Sequence, residues 1–492
     1  MDRLVKKGEL PGFARMMEEG AHGDLMNPGP QVSPVVWTTF ATGHFSRDHG
    51  ILDFVQPYSD VSGKQPVDVS FRRKPALWNV LDAHGLESTV VGYFVSWPAE
   101  PIDGHVVSDR AFNGLENSVW PADLESVSKR VRQAVHADRS ELLSRFLPWP
   151  YDPAQADDET SPYHEAARIV RGRIDQRILA DEYVRRMTEQ LMEDPVDLLV
   201  SYYRIPDIVS HSAWYYYDDS DWDEAPDQGT SELLGDVVQE SYRYVDEVIE
   251  MMLDRYGEEA NIVVISDHGF GSATGPYATN NPLLTGNHRP NGVILAYGPD
   301  VKPGRIEPMT IMEIFPTLAN LLDVPIADTV PGSVNYDLLR EPFLERQPPR
   351  FVERYDFDWQ GVEPVKVDQA TQAEEMESLR GLGYVGEGVT VGDGAGASGY
   401  DFWGVSERLL VANLHAEVVY HLIRGDIAAA DEVVYALERN RPEMKSLLLA
   451  RSQAKVEALR RELGDDESIA PQLAAFLKAH RRGGGEPDTN DE

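Results

Sequence analysis

The chain has 492 residues, no cysteine, 83 acidic against 45 basic side chains and a formal net charge of -38. That composition excludes disulfides, thiol nucleophiles and thiolate metal sites, and it excludes a nonspecific nucleic-acid surface or an anionic-membrane surface, both of which need basic patches. No run of 18 apolar residues is present to span a membrane, and the first residues, MDRLVKKGELPGF, carry charge without an apolar stretch behind it, so no signal peptide is read and a cytoplasmic location is expected.

Residues 2–20 read as an amphipathic helix, interrupted near Leu10 and Pro11, followed by a polar loop that leads to Ser33. In QVSPVVWTTFATGH (31–44), Ser before Pro before an apolar run is the usual sign of a helix start. Ser33 is expected at the N-cap, Pro34 at the first helical position and Gly43 at the far end. A helix N-terminus also favours an anion, so one residue can both cap and attack. STVVGYF (88–94), VDLLVSYY (196–203), NIVVISD (261–267) and GVILAYG (292–298) are short apolar runs bounded by turn residues, and long helical stretches at 165–193 and 231–256 separate them. This alternation predicts an α/β fold, a doubly wound and mostly parallel sheet covered on both faces.

Residues 105–165, rich in Trp, Pro and acidic side chains, break the alternation and are expected to form a cap. A second irregular insertion, YYYDDSDWDEAPD (215–227), reads as a solvated loop, and 309–325 as a helix and turn that close the α/β unit. The expected organisation is one domain over 1–385, a Gly-rich linker over 386–403 and a helical segment over 404–482. Within that segment, 413–442 has small and aromatic residues at the offsets of a single tetratricopeptide-like hairpin. One repeat cannot bury its own face, so the segment is expected to dock on the main domain. The many scattered carboxylates, with Arg favoured over Lys, match a halophile's solvated surface.

Chemistry concentrates where the strands end. After VDLLVSYY comes RIPDIVSH, with Asp207 and His211; after NIVVIS comes DHG, with Asp267 and His268; just before GVILAYG comes GNHRP, with His288. In a parallel sheet, ligands bind outside the carboxyl ends of the strands, which brings these groups to one rim. Each piece alone has an ordinary reading as a turn or a hydrogen-bonded pair. Three imidazoles and two carboxylates beside a serine at a helix N-terminus are the ligand count for two divalent cations, and His plus carboxylate without thiolate suits Zn²⁺ or Mn²⁺.

As an ordered set, SPVVWTTFATG, HGI (49–51), PDIVSH (206–211), SDHGF (266–270) and GNHRPNG (286–292) resemble the alkaline phosphatase superfamily, in its type I phosphodiesterase/nucleotide pyrophosphatase branch. The resemblance covers about residues 1–385. It implies an alkaline phosphatase-like catalytic domain in which Ser33 is the nucleophile, Asp207, His211 and His288 hold one metal, and Asp267, His268 and Ser33 hold the other. The implied activity is metal-dependent hydrolysis of small-molecule phosphoric esters through a phospho-Ser33 enzyme.

Two departures accompany it. The family's first strand, which ends in a metal-ligand Asp, has no counterpart before residue 2, so a sheet strand is expected to be missing through start-site misassignment or loss. Metal binding at the Ser33 site is accordingly expected to be weak. The Asn that commonly follows HGI is absent, with Phe54 in its place, which leaves diester against monoester preference open. A sulfatase is disfavoured because Ser33, followed by Pro-Val-Val-Trp, does not stand in the C/S-x-P-x-R setting that formylglycine formation needs. A phosphoglycerate mutase-like phosphoryl transfer and a non-catalytic binding protein stand as the alternatives.

Overall fold

Helix formers and apolar runs alternate into an α/β structure whose strands end around one shared centre. The computed structural model describes the whole chain except residues 58–63, 258, 280, 282–283, 366, 368, 382–401, 464–468 and 482–492. The first helical stretch is split: α1 (Asp2–Lys6) ends in a turn, and Pro11 opens α2 (Pro11–Glu19), where its missing N–H costs nothing. Leu10 provides no cap, and the Asp246 carboxylate takes its place by accepting from the N–H groups of Gly12 (3.1 Å) and Phe13 (2.7 Å).

The segment before Ser33, expected as a polar loop, contains a strand, β1 (Ala21–Met26). Its sequence AHGDLM alternates: Ala21, Gly23 and Leu25 are buried while His22 and Asp24 are partly exposed. The small residues at two of the three inward positions hid the period-2 pattern. Then comes α3 (Ser33–Thr42), buried along its whole length and closed by Gly43 in the left-handed region (φ 70°). A Cβ on Gly43 would lie 2.8 Å from the Phe315 ring. Three threonines in a buried helix need partners, and all have them: Thr38 and Thr42 donate to the carbonyls of Pro34 and Thr38, and Thr39 pairs with His49.

Further along lie β2 (Ser88–Val91), β3 (Gly104–Val107), β4 (Val119–Trp120), α4 (Glu125–Ala137), α5 (Arg139–Phe146), α6 (His164–Val170) and α7 (Ile174–Leu191). The sheet therefore continues into the segment expected as a cap over 105–165: β3 pairs in parallel with β2, and the helical excursion begins only after β4. The expected helix over 165–193 is broken between α6 and α7 at Gly172 (φ 74°). Then follow β5 (Leu198–Ser201), α8 (Ile205–Tyr217), α9 (Val237–Tyr256), β6 (Ile262–Ile265), β7 (Gly269–Ser272), β8 (Gly286–Arg289), β9 (Asn291–Tyr297), β10 (Gly304–Arg305), β11 (Met309–Thr310) and α10 (Ile314–Leu321).

The strands form two main sheets. One runs β4-β3-β2-β5, with β2 parallel to both neighbours; the other runs β10-β1-β9-β6, with β11 also paired to β1 and with β9 antiparallel to β1 and β6. A separate ribbon joins β7 to β8. β5 and β6 each end their sheet, and both are partly exposed along their length although their sequences, LLVS and IVVI, are apolar like those of strands buried on both faces. No helix among the described residues is long and apolar enough to cross a membrane.

The C-terminal helices α11 (Glu407–Ile423), α12 (Ile427–Asn440), α13 (Lys445–Leu463) and α14 (Ile469–Arg481) pack around their own apolar cluster, including Leu414, Val418, Val434, Leu448 and Phe476. The expected linker over 386–403 lies outside the described residues apart from its last two positions. α11 rests on the first domain: Asn413 donates to the Leu52 carbonyl, Tyr420 to that of Pro331, and Glu417 pairs with Arg47 at 2.8 Å.

Candidate metal centre

α8 follows directly on β5, so its first turn opens at the carboxyl end of a strand. Asp207 and His211 are four residues apart and share one face of this helix. The β7–β8 ribbon carries the third group, with His288 opposite Phe270 in the register. Helix and ribbon are tied together: Thr285 donates its N–H to the His211 carbonyl (2.7 Å), and His211 Nδ1 donates to the Gly286 carbonyl (3.0 Å). With Nδ1 donating to that carbonyl, the His211 Nε2 is turned toward Asp207 and His288.

Three side-chain atoms of metal-ligand type then crowd together. His211 Nε2 and His288 Nε2 are 2.9 Å apart, and Asp207 Oδ1 lies 3.1 Å from His288 Nε2 and 3.4 Å from His211 Nε2. The edge of a tetrahedron with bonds of about 2.1 Å is about 3.4 Å, so this triangle has the size of one face of a zinc-type coordination sphere. Asp207, His211 and His288 are also the group of three whose ligand atoms all fall within 4.8 Å of one another.

Asp267 and His268, at the end of β6, flank that triangle. His268 Nδ1 donates to the Gly269 carbonyl (3.1 Å), which leaves its Nε2 3.6 Å from both Asp207 Oδ1 and Asp267 Oδ1. The His268 ring stacks on that of His288, centroids 3.5 Å apart. Asp267 Oδ2 is buried without a hydrogen-bond partner. The structure thus brings Asp207, His211 and His288 into one tight group and sets His268 and Asp267 beside it.

Ser33 is not a helix cap. Val32 holds the N-cap position, its carbonyl accepting from Val35 and Val36, and Ser33 is already inside the first turn. Its hydroxyl makes no hydrogen bond among the described residues, whereas those of Thr38, Thr39 and Thr42 are all committed. The loop before it is fastened to the strand ends. Asn27, fully buried, donates from Nδ2 to the Asp267 carbonyl (2.9 Å) and accepts at Oδ1 from the Gly29 N–H (2.8 Å). Gln31 donates to the carbonyl of Arg289, next to His288. Sequence reasoning missed Asn27 because an Asn before Pro-Gly reads as an ordinary turn residue.

The charges are unbalanced. Burial pushes the Asp207 carboxyl up, but His211 and His288 outweigh it and hold the group well below the usual carboxylate range. Burial, reinforced by the neighbouring His268, drives His288 down to about 3, so that ring is neutral. Burial and the charge of Asp207 raise Asp267. An ionised buried carboxylate, imidazole nitrogens crowded around it and a buried carboxylate oxygen without a partner are a donor set that a divalent cation satisfies.

A family model described as type I phosphodiesterase / nucleotide pyrophosphatase matches residues 1–313. Among solved structures, murine ectonucleotide pyrophosphatase / phosphodiesterase 5 is 14% identical with a TM-score of 0.38, over 67% of this chain and 95% of that one. A mutant of alkaline phosphatase PafA is 12% identical with a TM-score of 0.42, over 69% and 96%. No curated protein matches.

Proposed function

The chain belongs to the type I phosphodiesterase / nucleotide pyrophosphatase family, and from that premise we propose that it hydrolyses small-molecule phosphoric esters with Ser33 as nucleophile. The observation that carries this reading is the convergence of Asp207, His211 and His288 within 4.8 Å. Those three residues would hold one divalent cation, and Asp267, His268 and Ser33 a second, with Zn²⁺ or Mn²⁺ suiting the donors. Bound there, such cations acidify the serine hydroxyl and offset charge on phosphoryl oxygens.

The chain's own part is positional. Asn27 and Gln31 tie the loop before Ser33 to the carbonyls of Asp267 and Arg289, next to the proposed ligands, and the uncapped N-terminus of α3 favours the anion that would bind beside it. Attack by Ser33 Oγ forms a Ser–O–P bond as the ester's P–O bond breaks and the alcohol leaves with the serine proton; water then cleaves the phosphoserine and restores the hydroxyl. The test is turnover of bis-p-nitrophenyl phosphate with added Zn²⁺ or Mn²⁺, together with acid-quench mass spectrometry of the peptide containing Ser33. Metal-dependent turnover, a phosphoryl adduct on that peptide and loss of both in Ser33→Ala are expected. Turnover that survives Ser33→Ala, or none under any metal, overturns the reading.

A further inference from the structure

The segments on both sides of α3, the helix that carries Ser33, meet one helix of the C-terminal unit. In the segment after α3, the Phe45 ring lies 5.4 Å from that of Tyr420 and 5.8 Å from that of His421, Arg47 pairs with Glu417 (2.8 Å), and the Leu52 carbonyl accepts from Asn413 (3.3 Å). These four partners belong to α11, at spacings that put them on one face. The two units also exchange apolar residues: Leu52 sits in the cluster of the C-terminal helices, and Tyr420 in that of the first domain.

His415, two residues beyond Asn413, projects from a different side of α11 and meets the loop before Ser33. Gly29 in that loop has φ 109°, and a Cβ on it would come within 2.9 Å of His415 Nε2 and 3.2 Å of Cε1, so the ring edge rests on the backbone. His415 Nδ1 donates to the Val411 carbonyl one turn back (3.2 Å), which fixes the ring. Burial, with the charge of Lys455, drives the ring down to about 4, so it is uncharged near neutral pH and the contact is one of shape. On its other side the loop is tied inward: the Gly29 N–H donates to Asn27 Oδ1 (2.8 Å), and Asn27 Nδ2 donates to the Asp267 carbonyl (2.9 Å).

Ordinary domain packing needs contact somewhere; here it falls on the two segments that set where α3 begins and ends. We propose that His415 is a positioning residue for Ser33: with α11 braced against 43–52, its ring holds Gly29, and through Gly29 the Asn27 side chain, against the Asp267 carbonyl. The C-terminal unit is then a working part of the site, although none of its residues reaches the proposed ligands. That the group so placed is a nucleophile rests on the function proposed above; that α11 sets the loop does not.

Hydrogen exchange read by mass spectrometry and turnover of bis-p-nitrophenyl phosphate, both on the full chain, test this. In His415→Ala the amides of 27–33 should exchange several-fold faster while those of 205–213 stay unchanged. The kcat should fall about tenfold with KM within about twofold. His415→Gln, whose amide reaches toward the place of Nε2, should recover part of both. Val434→Ala thins the C-terminal cluster from α12 and is the control for stability alone: it should lower the melting temperature and change neither exchange at 27–33 nor kcat. Unchanged exchange at 27–33 in His415→Ala, or the same rise in exchange or loss of kcat in Val434→Ala, overturns the proposal. If His415→Ala melts without cooperativity, His415→Gln decides, by a smaller rise confined to 27–33 or by none. If no metal gives turnover in the unaltered chain, the function proposed above fails and the exchange result still decides whether α11 sets the loop.

Discussion

The two halves of the proposed metal centre are built differently. Asp207, His211 and His288 come from a helix and a ribbon that are hydrogen-bonded to each other, and their ligand atoms already form a triangle of coordination size. Asp267, His268 and Ser33 come from a strand end and a separate helix: His268 points midway between two carboxylates, Asp267 keeps an oxygen without a partner, and Ser33 is delivered by a loop. That loop leans outward as well as inward, since Gly29 (φ 109°) abuts the His415 ring of α11, where a Cβ would come within 2.9 Å of Nε2. A site tied to itself is organised before a cation arrives; a site tied to its surroundings depends on them. We therefore expect one tight and one weak cation.

The largest expected contrast is between carboxylates. Asp207→Ala should weaken the tight cation by about 100-fold or more and lower turnover by about three orders of magnitude, whereas Asp267→Ala should lower turnover comparably and leave the tight affinity within about threefold. Equal loss of tight binding in both variants, seen by competition with a chromophoric chelator, would erase the distinction. Next is Asn27→Ala, which frees the Asp267 turn and the Ser33 loop together. Turnover should drop about 10- to 100-fold with the tight site unchanged, and the ratio of turnover to metal affinity reads this out.

Gly29→Ala probes the outer support. A side chain at that φ and against His415 should cost about 1–3 kcal/mol in thermal unfolding, and His415→Ala should relieve part of it if the contact is the cause. The smallest effect concerns Glu417, whose carboxyl burial pushes up to about 7 from 4.5 despite the Arg47 ion pair. Its folded form binds a proton more readily than its unfolded form, so its contribution to stability is present below about pH 4.5 and is lost as pH rises through 7. Melting curves across that window should be flatter for Glu417→Gln, and an unchanged slope would show that α11 does not sense this group.

Much of this was legible before any coordinates. The apolar runs locate β2, β5, β6 and β9, and four-residue spacing on a helix opening after a strand suffices to pair Asp207 with His211. Less visible were features set by tertiary partners. β1 is a strand because β9 and β11 lie on either side of it, although AHGDLM is a weak strand former. Ser33 falls one position inside its helix because Val32, with no capping side chain, takes the cap geometry in a loop pinned by Asn27 and Gln31. β3 reads as part of the cap because a four-residue strand that opens on Gly104 has too few positions to show a period.

β5 and β6, partly exposed at the ends of their sheets, bear on how copies of the chain behave toward one another. A bare apolar strand border is a template for cross-chain pairing, the first step to precipitation, and proteins usually blunt it with lysines or prolines along the strand. LLVS and IVVI contain neither. The formal surplus of 38 negative charges opposes the approach of one copy to another. The lopsided composition thus works in the same direction that lysines or prolines on those strands would have worked.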